Sequence, residues 1–470
     1  MHFSIPETQD CKDESGSTYT VFKIHVNGVH HCTVRYSQLH NFHEQMKKEF
    51  GANSLPQFPP KKFKLLQLGP AELEERRAQL EKYIQIISQN PQIANSDVFN
   101  GFFLSAQQET QHEEPERVTL DVFLMNGHKI TVNILSTDQT EDVLETVASN
   151  IELKDDFVFY FGLYLVKKEG GEKELSIIRK LQDFESPFIS LKAANKDGVH
   201  KIVLRKSYWD SSFDDDLLED RIAMNLLYVQ AQSDLERGWI HATKEQMKQL
   251  TNLHQKGSKK EYLRLARTLK YYGFLHFKKC QTDYPQDGCA AVVAAGNREL
   301  NFRIQVSEDQ LKEGSFKITR MRCWRITTTL PDEENENPTD PKPTLEIAFE
   351  YLMAKDTLKW ITLFTDEAIL ISMCLQGMVD ELIMKKQGKK MKRPQDRVKR
   401  APRAYLKRDG TSNVTYNEAD NEEHTTSTAQ KAKESVKKIS DKLQSLRTSA
   451  LAPDLPENDA FVGGIGDDDL

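Results

Sequence analysis

The chain lacks several things. None of its apolar runs approaches the roughly 20 residues that cross a bilayer as a helix, and its start, Met-His-Phe-Ser-Ile-Pro, carries no signal-peptide pattern. Membrane contact is therefore expected to be peripheral, from the cytosolic face. Its six cysteines (Cys11, Cys32, Cys280, Cys289, Cys323 and Cys374) are scattered without metal-ligand spacing, which excludes a zinc ribbon and reads as reduced thiols. The net charge of −7 argues against nucleic acid as a general partner. There is no nucleophile elbow, Walker loop, zinc-protease helix or kinase signature. The expectation is a protein that is not an enzyme and carries no cofactor or metal.

What is present is enough chain, at 470 residues, for several domains. One stretch draws attention: Ile318 to Ile326, reading Ile-Thr-Arg-Met-Arg-Cys-Trp-Arg-Ile. It alternates like a strand, yet three arginines and a tryptophan are too polar for a strand covered on both faces. A polar loop from Pro331 to Pro343 follows it. The pattern predicts a strand at or near a sheet edge, able to accept an added strand with Trp324 as anchor. Taken alone, the stretch fits a core tryptophan better.

Over residues 1–110, Thr20–Val26 and His31–Tyr36 flank Asn27-Gly28, a hairpin signal. A helix is expected over Ser37–Phe50, then a proline-rich extended loop, then a long helix opened by Pro70. A strand end, a loop and a helix supply Arg35, Lys61 and Arg76, cations that a phosphorylated headgroup would gather. Lys62, Phe63, Lys64, Leu65 and Leu66 combine apolar and basic side chains suited to dipping into an anionic bilayer. Solvated charge on unrelated surfaces would explain the same residues. Three ordered motifs, Arg35-Tyr36-Ser37, Leu55-Pro56-x-x-Pro59-Pro60-Lys61 and Arg76-Arg77 before Leu80, resemble the PX (phox-homology) domain. The resemblance implies binding of phosphatidylinositol 3-phosphate. Arg35 would hold the 3-phosphate, Tyr36 would stack, Lys61 would meet the 1-phosphate, and Arg76 the ring hydroxyls, with Ser37 in contact. Arg77 is the alternative to Arg76.

After a polar linker at 107–117, a hairpin (Val118–Leu124, Ile130–Leu135), a helix over Thr137–Glu152 capped by Thr137 or Asp138, and strands near Phe157–Val166, Phe188–Leu191 and Lys201–Arg205 suggest a ubiquitin-like lobe. Leu217 to Tyr272 turns helical, with a capping box at Thr243-Lys-Glu-Gln and Ser258 opening a third helix. From Phe274, strands near Phe274–Lys278, Ala290–Ala294, Leu300–Val306, Ile318–Ile326, Leu345–Tyr351 and Leu358–Thr365 precede a closing helix, Glu367–Lys385. That order resembles a FERM domain, and PX followed by FERM resembles the PX–FERM sorting nexins. The resemblance implies an adaptor in the cytoplasm, peripheral on early endosomes. It implies binding of Asn-Pro-x-Tyr or Asn-x-x-Tyr signals in receptor tails (lipoprotein-receptor, integrin β, amyloid-precursor and P-selectin types). Trp324, Val379, Arg320 and Arg322 are assigned to that grip.

The tail begins with a basic run through Lys389, Lys390, Lys392, Arg393, Arg397, Lys399 and Arg400, and is expected to be disordered over 391–470. Val436, Ile439, Leu443 and Leu446 mark a short amphipathic helix. Asn413-Val-Thr-Tyr416 and Asn458-Asp-Ala-Phe461 share the form Asn-x-x-aromatic, a weak signal at four residues. Asn458 and Phe461 are assigned as an internal, autoinhibitory ligand of the cargo groove. The end, Ile465-Gly466-Asp467-Asp468-Asp469-Leu470, resembles the family's recruitment peptide for the Retriever complex and, through it, the Commander assembly.

The expected architecture is α+β and multidomain. A PX domain (1–110) precedes a three-lobed FERM domain: ubiquitin-like (115–206), helical (207–272) and phosphotyrosine-binding-like (273–390). The chain is expected to act as a monomer. The alternative is a membrane–cytoskeleton linker, or a lipid-binding scaffold that selects no cargo.

Overall fold

The computed structural model describes residues 1–13, 15–61, 69–169, 175–307, 310–329, 344–397 and 403–415. Residues 1–415 form one compact unit. In the first domain, β1 (Phe3–Lys12), β2 (Thr18–Val26) and β3 (Val29–Arg35) form an antiparallel sheet in chain order. The β2–β3 turn is made by Asn27 (φ 50) and Gly28 (φ 81), the left-handed pair that an Asn-Gly hairpin requires. Four helices follow: α1 (Tyr36–Phe50), α2 (Pro70–Gln89), α3 (Pro91–Ala94) and α4 (Asp97–Gln111). Their apolar faces bury Phe42, Tyr83, Phe99 and Phe103 against Phe3, Phe22 and Ile24. Strand β1 has no counterpart in the sequence reading. Its pairing slips between Ser4 and Glu7, around Pro6, which blurs the alternation.

The second lobe contains β4 (Arg117–Phe123), β5 (Lys129–Leu135), α5 (Thr140–Asn150), β6 (Phe161–Lys168), β7 (Leu175–Lys180), α6 (Pro187–Ala194) and β8 (His200–Lys206). Its sheet order is β5-β4-β8-β6-β7, with β4 and β8 parallel. Residues 188–191, expected as a strand, are helical. Ser186 accepts the Ile189 N–H as N-cap and Pro187 occupies the first turn. Helix α5 starts at Thr140 after Gln139, whose backbone N–H is taken by Asp142; Asp138 instead accepts from Leu135 N.

The expected linker at 107–117 is a joint. Gln107 is buried, accepts from Ser186 N at 2.8 Å and donates to Ser190 Oγ at 3.0 Å. Phe184 inserts from the second lobe among Phe3, Phe99 and Phe103. The first domain is thereby packed onto the second lobe through a shared aromatic cluster.

The helical lobe is α7 (Asp214–Leu217), α8 (Arg221–Glu236), α9 (Lys244–Gln255) and α10 (Lys259–Ala266). The capping box at Thr243 and Gln246 is present in both directions, at 3.2 and 2.9 Å, whereas Ser258 precedes α10 without a side-chain cap. The last lobe holds β9 (Leu275–His276), β10 (Cys280–Thr282), β11 (Cys289–Gly296), β12 (Glu299–Ser307), β13 (Gln310–Lys317), β14 (Met321–Thr329), β15 (Thr344–Ala354), β16 (Thr357–Phe364) and α11 (Ala368–Lys386). The sheet order is β13-β12-β11-β10-β16-β15-β14, with β9 beside β11.

Helix α11 is braced from outside its lobe. Glu381 accepts the backbone N–H groups of Trp209 (2.7 Å) and Asp210 (2.8 Å), and Asp210 takes Arg298 and Lys385. Burial raises the affinity of Asp210 for a proton, but those bonds and Ser212 outweigh it and hold its pKa below the usual range. At Gly377 the Trp209 indole nitrogen comes within 2.9 Å of where a Cβ would stand, so glycine there admits the indole. The β2–β3 turn reaches the same helix: a Cβ at Gly28 would stand 2.9 Å from Ile369 Cδ1.

The region after α11 departs from the expected disordered tail. Strands β17 (Arg403–Leu406) and β18 (Ser412–Thr415) form a hairpin. Tyr405 is buried in the first domain's aromatic cluster, 5.9 Å from the Phe102 ring. Before it, Lys392 pairs with Glu141, and Arg397 bridges Glu141 (2.9 Å), Asp142 (3.0 Å) and Glu145 (2.9 Å) on α5. The basic run is therefore paired over part of its length, because α5 presents a carboxylate face to it.

Candidate functional site

Two regions gather the sequence-predicted residues. The first lies on the PX-like domain. Arg35 ends β3, and its guanidinium lies 3.7 Å above the Tyr19 ring on β2. Tyr36 opens α1 and donates its hydroxyl to Pro59 O at 2.7 Å, which ties the proline loop to the helix start. Arg76, on α2, donates to Pro60 O at 3.2 Å and lies 4.5 Å from the centre of the Tyr36 ring. Tyr36, the 59–60 turn and Arg76 are thus in contact, with Lys61 next along the loop and exposed. Ser37 is exposed on the first turn of α1.

The geometry separates Arg76 from Arg77. Arg77 is bound by Glu74 (2.6 Å), Glu81 (3.3 Å) and the Ile5 carbonyl (2.6 Å), which makes it a strut between α2 and β1. Arg76 faces the loop and the tyrosine. Burial raises the pKa of the Tyr36 phenol, with Arg76 opposing. The stack of Tyr19 under Arg35 was not in the sequence reading. Its signal was the register that sets Val21 opposite Arg35, two residues on from Tyr19. Lys62, Phe63, Lys64, Leu65 and Leu66 lie outside the described residues.

The second region is the edge formed by β14. Among the described residues β14 pairs with β15 alone and ends the sheet order, as its polar composition suggested. The strand starts three residues later than expected and runs to Thr329: Ile318–Arg320 is a single 3-10 turn, and Ile318 is core. Arg320 accordingly sits before the strand, donating to Met353 O at 3.0 Å and lying over Tyr351. Arg322 is exposed and paired with Glu350 at 2.5 Å.

Trp324 is half-buried. Its indole Nε1–H donates to Ser372 Oγ on α11 at 2.9 Å, so the ring spans the gap between the edge strand and the closing helix. Val379 lies seven residues along α11 from Ser372, on the same helical face, and packs partly against the lobe's core. The arrangement has a strand edge that no other described strand covers, a facing helix, and a tryptophan joining them. Chemically, it can pair with an extended peptide and cover its side chains. Ser372 escaped the sequence reading because helix–strand apposition leaves no local pattern.

Among the described residues no cluster of His, Cys, Asp or Glu could hold a metal, and no helix is long and apolar enough to cross a membrane. Asn413 pairs with Tyr405 in the β17–β18 hairpin, and Tyr416, the aromatic of Asn413-Val-Thr-Tyr416, lies outside the described residues. Asn458, Phe461 and the terminal residues Ile465, Gly466, Asp467, Asp468, Asp469 and Leu470 lie outside the described residues.

Comparison with known proteins gives four matches in chain order. Residues 22–106 match the PX domain family, and 118–209 match the F1 lobe of the sorting nexin 17/27/31 FERM domain. Residues 210–270 match the F2 lobe of the sorting nexin 17/31 FERM domain, and 273–383 match the sorting nexin 17 FERM C-terminal domain. The chain is 49% identical to Homo sapiens sorting nexin-17 and 48% identical to the Danio rerio protein, in each case over 100% of both chains. It is 38% identical to Homo sapiens sorting nexin-31, covering 82% of this chain and 86% of that one.

Proposed function

The chain belongs to the sorting nexin 17 family of endosomal sorting adaptors, and we propose that it joins a phosphoinositide to a receptor tail on one compact unit. The lipid is phosphatidylinositol 3-phosphate, read by Arg35, Tyr36, Ser37, Lys61 and Arg76, with the 62–66 loop entering the bilayer. The cargo is an Asn-Pro-x-Tyr or Asn-x-x-Tyr segment in the tail of a receptor of the lipoprotein-receptor, integrin β, amyloid-precursor or P-selectin type. It adds as a strand to β14, and its turn is held between Trp324 and the Ser372–Val379 face of α11. Arg320 and Arg322 serve as flanking cations. Acidic residues and a terminal leucine at 465–470 recruit Retriever, and through it Commander, which returns the receptor to the cell surface from early endosomes.

The observation that carries this reading is the β14 edge, which among the described residues pairs with β15 alone, with Trp324 bonded across to Ser372. An edge strand is a liability unless something covers it, and a peptide in β-augmentation does so while offering alternate side chains to the helix. Titration of a labelled Asn-Pro-x-Tyr peptide into the full chain tests it. Saturable binding that Trp324→Ala removes is expected. Binding unchanged by that substitution overturns the assignment.

A further inference from the structure

The β17–β18 hairpin reaches the lipid pocket. Arg35 Nη1 donates to the backbone carbonyl of Arg408 at 2.8 Å. The same guanidinium is stacked on Tyr19, so its plane is set by the ring and its rotation in that plane by the carbonyl. A guanidinium carries five N–H groups in one plane, so one bond to a carbonyl leaves donors for an anion.

Arg408 is held in place by the first domain. Its N–H donates to Glu109 Oε1 at 2.6 Å, and its Nη2 donates to Thr33 O at 2.8 Å, two residues before Arg35 on β3. The rest of the hairpin is anchored nearby. Tyr405 donates to Glu109 at 2.8 Å, Gln45 donates to Ala404 O at 2.9 Å, and Arg403 pairs with Glu49 (2.9 Å) and Asp97 (2.8 Å).

We propose that this hairpin is a wall of the phosphoinositide pocket. The Arg408 carbonyl is the positioning group that pre-orients Arg35, so lipid affinity depends on hairpin docking. The proposal rests on the phosphoinositide reading above. Charge favours a supporting wall over an excluding lid. Arg403 is taken up by Glu49 and Asp97, and in the turn that meets Arg35 two cations, Lys407 and Arg408, stand against one anion, Asp409, a balance that favours a phosphate nearby. Pre-orientation acts by removing the ordering cost of a long side chain before the ligand arrives.

Linkage makes this testable in the full chain. If docking strengthens lipid binding, lipid strengthens docking by the same factor. Amide hydrogen exchange over 403–415 is followed with phosphatidylcholine–phosphatidylserine vesicles, with and without phosphatidylinositol 3-phosphate. Roughly tenfold slower exchange is expected only with the phosphoinositide, and Arg35→Gln should abolish the response. Tyr405→Ala should weaken vesicle binding by the same factor. Arg403→Glu, which leaves the aromatic cluster intact, should weaken it in the same direction.

Wild-type chain that binds the phosphoinositide vesicles while hairpin exchange stays unchanged would overturn this proposal alone. Faster exchange, or tighter binding by Tyr405→Ala, would also overturn it, by making the hairpin a lid. Wild-type chain that shows no preference for the phosphoinositide would overturn the lipid reading and this proposal with it.

Discussion

Trp324 and Ser372 join the edge strand to the closing helix: the indole N–H on β14 donates to a hydroxyl on α11 at 2.9 Å. A core tryptophan would be enclosed and its N–H satisfied within the packing. This one is half-buried, and its hydrogen bond fixes the spacing between strand and helix. The two residues should therefore differ on substitution. Trp324→Ala removes the aromatic floor and is expected to lower peptide affinity at least roughly tenfold, as loss of a central aromatic anchor does. Ser372→Ala leaves the floor and removes one hydrogen bond, worth about 1 kcal/mol, for a loss of a few-fold. Isothermal titration of both variants decides. Equal losses would mean that the serine itself contacts the peptide.

His31 sets a second expectation. It is buried where α4 of the first domain approaches α6, with Nε2 on the Phe103 carbonyl at 3.0 Å. Burial lowers its pKa to about 4, although the nearby Glu185 carboxylate opposes the shift. The neutral form is the folded form, while the unfolded chain titrates near 6.5. The unfolded state thus binds more protons between those values, and stability is lost as pH falls from about 6.5 toward 4. The shift corresponds to about 3 kcal/mol at most. His276, lowered to about 3 by burial first and then by Arg303, acts in the same direction. Calorimetric melting between pH 7.5 and 5 should show a falling Tm. His31→Gln, though less stable at neutral pH, should show a shallower fall. Parallel curves would sink the assignment.

The strap before the hairpin carries a third. Arg397 faces three carboxylates on α5 and is largely covered, so Arg397→Glu replaces three attractions with repulsion. Burial raises the pKa of Glu145 and Arg397 restrains the rise, so the variant should also bind a proton there more readily. A loss on the order of 2 kcal/mol is expected. It should be visible as a Tm below that of the wild type at pH 7.5, with the deficit shrinking toward pH 5. Arg393→Glu is the control, since Arg393 is exposed and its pairs with Asp396 (3.2 Å) and Asp156 (3.6 Å) lie at the surface.

These cases show where the sequence was legible. Alternation and composition placed β14 at an edge, and Asn27-Gly28 placed a hairpin, because both are local. Thr243 and Gln246 announced their own cap. Ser372, Tyr19 and the Arg408 carbonyl were not legible, since each gains its role from a partner brought close only by tertiary packing. The hairpin at 403–415 did leave a mark. Asp409-Gly410 is a turn dipeptide between Ala404-Tyr405-Leu406 and Val414-Thr415, and Gly410 has φ 92. The density of lysine and arginine around it suggested a solvated tail, and the carboxylates of α5 and α4 that neutralise them lie hundreds of residues away. Helix α6 is masked by its local composition. Phe188 and Ile189 have strand-forming side chains, and the Ser186-Pro187 start is the local mark of the helix.

The last expectation separates two adjacent arginines. Arg76 and Arg77 are consecutive on α2 and are equally charged, so sequence alone could not choose between them. Arg77 is engaged on three sides by Glu74, Glu81 and the Ile5 carbonyl, and holds β1 against α2. Arg76 donates to Pro60 O and covers Tyr36 beside the exposed Lys61. Arg77→Ala should lower Tm while vesicle affinity, measured well below that Tm, changes less than about twofold. Its main loss is the Ile5 carbonyl left without its donor, about 1–3 kcal/mol, since Glu81 keeps the Ile5 N–H and Glu74 is exposed. Arg76→Ala should do the reverse, leaving Tm within about a degree and weakening binding to phosphatidylinositol 3-phosphate vesicles roughly tenfold or more. Removing one phosphate-facing charge should also flatten the salt dependence of that binding, because fewer counterions are exchanged. Flotation across a salt series reads affinity and slope together. Loss of lipid binding from Arg77→Ala at unchanged Tm would exchange the two roles.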